Sequence, residues 1–135
     1  MNTEDIKAKA EGILDEGKEK AAAILEDGGK MDQLLEQVEN KLETVPKAGE
    51  YLADVPRMIS LLKDHIQKDY TQAPTKTLVI IVAALLYLVN PKDLIPDKYL
   101  GLGLIDDAAI IAAAIALTKE DLHTYDVWKD AKAQA

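Results

Sequence analysis

The 135-residue chain carries 24 acidic against 16 basic side chains, a net charge of −8, and is 48% apolar with no Cys and no Phe. That length suits one domain with a modest core; the apolar share excludes a disordered chain, and the missing Cys excludes disulfides and thiolate metal sites. Residues 1–45 hold 12 acidic and 6 basic side chains, which disfavours phosphate backbones and anionic membrane surfaces, so no nucleic-acid partner is expected.

The N-terminus, MNTEDIKAKAEG, lacks the basic and apolar runs of a secretory signal. Ile6, Ala10, Ile13, Leu14, Ala21, Ile24 and Leu25 then recur at helical spacing. Thr3 is the predicted N-cap, and Gly12 and Gly17 weaken this helix by about 1 kcal/mol each. Asp27-Gly28-Gly29 is expected to end it through a left-handed C-cap. Met31, Leu34, Leu35, Val38, Leu42 and Val45 form the stripe of a second helix, closed by Pro46. Residues 1–45 therefore predict an acidic amphipathic helical hairpin, accessory to a helical domain at 46–135, the two forming one compact unit.

Asp54-Val55-Pro56 predicts a helix start with a capping carboxylate and an early proline, after a short turn through Tyr51 and Leu52. Val55, Met58, Ile59, Leu62 and Ile66 are its expected buried stripe. Pro74 and Thr75 punctuate before Leu78–Val89, an unbroken apolar run, and Ala108–Leu117 is a second. Neither run has a polar face, so both are expected to be enclosed by apolar material. Twelve residues of helix cover about 18 Å, well short of the roughly 30 Å of a bilayer core. Buried core helices are expected, with a shallow membrane hairpin or multi-pass anchor as the alternative. Thr118-Lys119-Glu120-Asp121 reads as a capping box that opens a last helix with Leu122, Tyr125, Val127 and Trp128. The fold class is all-α: a small bundle of about five to six helices around two short, nearly all-apolar core helices.

The connector between those apolar runs concentrates the remaining pattern: Tyr87 in the first run, then Pro91, Asp93, Leu94, Ile95, Pro96 and Asp97, then Gly103, then Asp106 and Asp107 opening the second. This stretch resembles the YkvA-like family, a bacterial domain of unknown function, over about residues 78–117 and more weakly over 50–130. Lys98 departs from the pattern, since such sequences more often continue apolar there. The resemblance implies a helical fold and apolar surroundings, and no known reaction.

Read from the residues, the connector is architectural. Pro91 and Pro96 stiffen the turn, Gly101 and Gly103 permit close backbone approach, and Asp106 or Asp107 caps the second apolar helix. Asp93 is expected to cap a short turn over Leu94 to Asp97, and Tyr87 to pair its hydroxyl with a connector aspartate. Convergence of Asp93, Asp97, Asp106 and Asp107 on calcium or magnesium is the competing reading. His65 and His123 stand outside any zinc spacing.

No catalytic residue, cofactor or metal site is assigned, and the chain is not expected to be an enzyme. The expected function is a helical module acting through protein–protein contact or a structural role, near the membrane or away from it. Its partner is an unidentified protein or a second copy, and its compartment the cytoplasm, with membrane association as the alternative. Two further functions compete with this one: a membrane protein with both apolar helices in lipid, and a divalent-cation protein or enzyme using the connector aspartates.

Overall fold

A computed structural model describes residues 3–44, 53–94 and 107–134, apart from the side chains of residues 3, 44, 93 and 94. Seven helices occupy these residues: α1 (Thr3–Glu16), α2 (Lys18–Leu25), α3 (Gly28–Thr44), α4 (Val55–Ile66), α5 (Thr75–Val89), α6 (Pro91–Leu94) and α7 (Asp107–Gln134). No strand occurs among the described residues, and the protein is an all-α bundle.

The first predicted helix is two, because Gly17 interrupts it with a turn between α1 and α2. The glycines after Asp27 do not make a left-handed C-cap. Glu26 ends α2 in a right-handed conformation (φ −80°), and Gly28 and Gly29 become the first turn of α3. Asp27 is the N-cap, its carboxylate accepting the Lys30 N–H at 3.1 Å. A strong amphipathic stripe follows, so a helix start here satisfies more backbone groups than a loop would.

Before α4, Pro56 stands in the first turn as expected, but the Asp54 carboxylate makes no cap. It binds the Arg57 guanidinium at 3.1 Å instead, an ion pair that a neighbouring cation makes preferable to a backbone N–H. Val55, Met58, Ile59 and Leu62 are buried; Ile66, at the helix end, is 38% exposed.

Helix α5 is the centre of the molecule. It packs against each of the other six described helices, and every side chain from Ile81 to Leu88 is buried. That explains a helix with no polar face: it meets protein over most of its surface. Helices α1–α3 supply much of this cover, through Ala10, Leu14, Ala21, Ile24, Leu34 and Val38 among others, in one continuous hydrophobic cluster with α4, α5 and α7.

The second apolar run behaves differently. It does not end at Leu117; α7 continues to Gln134. Both polar ends of the expected capping box are engaged elsewhere. The Thr118 hydroxyl donates to the Ala114 carbonyl one turn back, at 2.7 Å, and Asp121 accepts a hydrogen bond from the Thr77 hydroxyl of α5. With no Gly or Pro between residues 108 and 134, nothing breaks the helix. Nor is the run fully enclosed: Ala112, Ala116 and Leu117 face outward. Alanine exposes little apolar surface, so a peripheral helix tolerates it.

Candidate functional site

The two ends of the connector come together at one end of the bundle. Thr77, at the start of α5, meets Asp121 in the middle of α7, while the far end of α5 lies beside the start of α7, so the two helices run antiparallel. Joining the ends is a lysine that sequence reasoning passed over. The Lys41 ammonium, from the last turns of α3, donates to the Leu88 carbonyl and lies 3.7 Å from the Asp107 carboxylate. Leu88 is in the last turn of α5, where carbonyls lack intrahelical partners and the helix dipole favours a cation. Asp107 is in the first turn of α7, where the dipole favours an anion. One charge thus satisfies both termini. The signal in the sequence was a lysine near the end of an amphipathic helix, too common to single out.

Of the motif residues, Tyr87 is 1% exposed inside α5. Pro91 is the first residue of α6, a position that suits its fixed φ and missing N–H. Asp93 and Leu94 therefore lie within α6, not ahead of it, because Pro91 starts the turn three residues earlier than expected. Asp107 opens α7 as expected and pairs with Lys41. Ile95, Pro96, Asp97, Gly103 and Asp106 fall outside the described residues, as does the Asp93 side chain, so the four-aspartate cluster has no geometry here. Beside Lys41 is a shallow depression of about 320 Å³ lined by Gln37, Asn40, Val89 and Asn90.

A second polar cluster joins α4 to α7. Asp64, only 7% exposed, accepts the Tyr125 hydroxyl at 2.5 Å and the Lys129 ammonium at 2.9 Å; Ser60 shares a hydrogen bond with the same tyrosine oxygen. Burial works against ionisation of Asp64. The hydrogen bonds from Tyr125 and Lys129, with the positive charges of Lys129 and Lys132, outweigh it and hold the carboxyl below its usual range. Burial first, and the bond to Asp64 second, push the Tyr125 hydroxyl up, and the bond to Asp64 raises Lys129. Tyr70, Tyr125 and Trp128 pack over the cluster, with ring centroids 4.9–5.9 Å apart. These rings close over the Asp64–Tyr125 bond, while Lys129, its side chain about half exposed, reaches the carboxylate from the solvent side. Asp64 had no sequence signal, since it stood between stripe positions beside another charged residue, Lys63.

The third feature is an apolar cleft of about 640 Å³ above the α1–α2 break, floored by Leu14, Ala22, Val79, Ile80 and Leu117 and rimmed by Glu11, Asp15, Lys18, Glu19 and Lys76. Here the apolar sequence of α5 reaches the surface, through half-buried Val79 and Ile80, next to Leu117, which is 46% exposed. His65 is half-buried and His123 exposed, on different helices. Among the described residues no group of three or more metal-ligating side chains converges, and no helix is long and apolar enough to cross a membrane.

The family model described as "Protein of unknown function (DUF1232)" matches residues 77–113, from the start of α5 into α7. The "Uncharacterized membrane protein YkvA" of Bacillus subtilis (strain 168) is 41% identical over 75 residues, covering 56% of this chain and 71% of that protein. No solved structure matches. Family model and relative agree: the chain belongs to the YkvA-like, DUF1232 family of proteins of unknown function.

Proposed function

We propose that this protein is a non-enzymatic helical module that acts in the cytoplasm by contact with another protein, and that the contact surface is the cleft over Val79, Ile80 and Leu117. One observation carries the reading. The most apolar helix of the chain is buried from Ile81 to Leu88, and its half-buried Val79 and Ile80 open onto that cleft. A large apolar side chain such as Leu117, left 46% exposed beside a cleft, is the kind of surface that contact between proteins covers. The cleft is also shared between the family-matched helices and α1–α2, which gives the N-terminal hairpin a part in recognition.

A photoreactive residue in place of Leu117, in the cells that make the protein, tests this. Discrete protein adducts that are absent when the probe replaces Val127, another exposed apolar position (56%), support the reading. Adducts to lipid alone would overturn it.

The second reading is membrane association, favoured by the name of the Bacillus subtilis relative. In the fold described, α5 is covered by protein, so lipid contact requires either the cleft or an opened bundle. Flotation of the full chain with liposomes separates the two readings: co-migration with vesicles supports the membrane, and a protein left at the bottom of the gradient supports contact with protein.

A further inference from the structure

We infer that the cleft accepts an amphipathic helix whose apolar stripe is flanked by Lys or Arg side chains. This rests on the contact reading above and adds the chemistry of the partner. The rim of the cleft is asymmetric. Glu11, Asp15 and Glu19 follow at intervals of four along α1 and α2 and all line it, forming one acidic wall beside the apolar floor. Asp15 is engaged by Lys18 at 3.2 Å. Glu11 and Glu19 have no ion-pair partner among the described residues, so two uncompensated carboxylates border the floor. Lys76 stands apart on α5 as the remaining cation.

A helix lays its apolar side chains into a groove as anchors one turn apart and presents its flanking residues to the groove walls. Basic flanks would meet Glu11 and Glu19. The cleft volume lies within the roughly 300–1,000 Å³ of ordinary binding pockets, and the acidic excess of residues 1–45 steers a cationic partner to this end of the molecule. The other occupants fit less well. A second copy brings a net charge of −8 against the same wall, and an anionic amphiphile brings its head group to the two carboxylates.

The test is binding of the full chain to a fluorescein-labelled model helix of about 18 residues, Leu on one face and Lys on both flanks, followed by anisotropy at low salt. A second peptide carries Glu in place of every Lys. The Lys peptide is expected to bind and the Glu peptide not. Glu11→Gln with Glu19→Gln is expected to weaken binding about three- to tenfold, as two exposed ion pairs would, and added salt to erase the difference. Asp32→Asn with Glu36→Gln makes the same change in net charge on exposed residues of α3 and is expected to leave affinity within about twofold. Circular dichroism confirms that each variant folds. If the α3 pair weakens binding as much as the cleft pair, attraction is to net charge and the inference fails. Equal binding of both peptides, lost on Leu117→Glu, would also overturn it while leaving the contact reading intact. Failure of both peptides to bind, with lipid adducts alone from Leu117, would overturn both.

Discussion

Asp64 shows how much a single residue can organise without any mark in the sequence. Its carboxylate holds a tyrosine and a lysine of α7 against α4, and its backbone carbonyl accepts the N–H groups of Asp69 and Tyr70 beyond the end of α4. Tyr125→Phe removes the hydroxyl that links Asp64 and Ser60 and leaves a buried carboxylate with one partner fewer; a loss of about 1–3 kcal/mol is expected by urea unfolding at neutral pH. The acid dependence follows from the sign of the shift. The folded-state pKa of Asp64 is lowered, so its contribution is complete above the unfolded carboxyl value of about 4 and is lost as pH falls through the lower folded value. Asp64→Asn should therefore be less stable near neutrality and lose stability less steeply below about pH 4. An acid limb as steep as that of the parent protein would contradict this.

Elements follow the sequence where their ends have no better partner, and depart from it where one exists. Thr118 and Asp121 look like a helix start, yet they bind Ala114 and Thr77, and α7 runs through. Asp54 looks like a cap and binds Arg57. Asp54 and Thr118 turn to partners three and four residues away in the chain, whereas the Asp121 contact is decided by which group the tertiary fold brings near, and spacing along the chain does not reveal it. Lys41 is the same effect in reverse, an unremarked lysine that closes two helix ends. Lys41→Met should cost about 1–2 kcal/mol in urea unfolding by leaving the Leu88 carbonyl without its cationic donor. Asp107→Asn should cost less, under about 1 kcal/mol, because that pair is partly exposed and longer. Gly12 is a simpler case: it lies inside α1 with nothing within 4 Å of a Cβ placed there. Gly12→Ala should raise stability by about 0.5–1 kcal/mol, read as a higher urea midpoint.

At the scale of the whole molecule, α5 packs against every other described helix, so the hairpin and the rest should unfold together. Far-UV circular dichroism and the fluorescence of the lone Trp128 should give one coincident transition. Leu85→Ala, at a fully buried position, should lower both by the same amount, about 2–5 kcal/mol; two separated transitions would show that residues 1–44 unfold independently. The sequence by itself determined the all-α class, the family motif and the two apolar runs, because helical period and uninterrupted hydrophobicity are local properties that burial must satisfy. Only the tertiary structure decided that the first run is mostly enclosed while the second is peripheral, that the two run antiparallel under Lys41, and that a cleft opens over Val79, Ile80 and Leu117. Those outcomes depend on which surfaces meet, and residues far apart in the chain, Lys41 with Leu88 and Asp64 with Tyr125, acquire their roles only once the helices have packed.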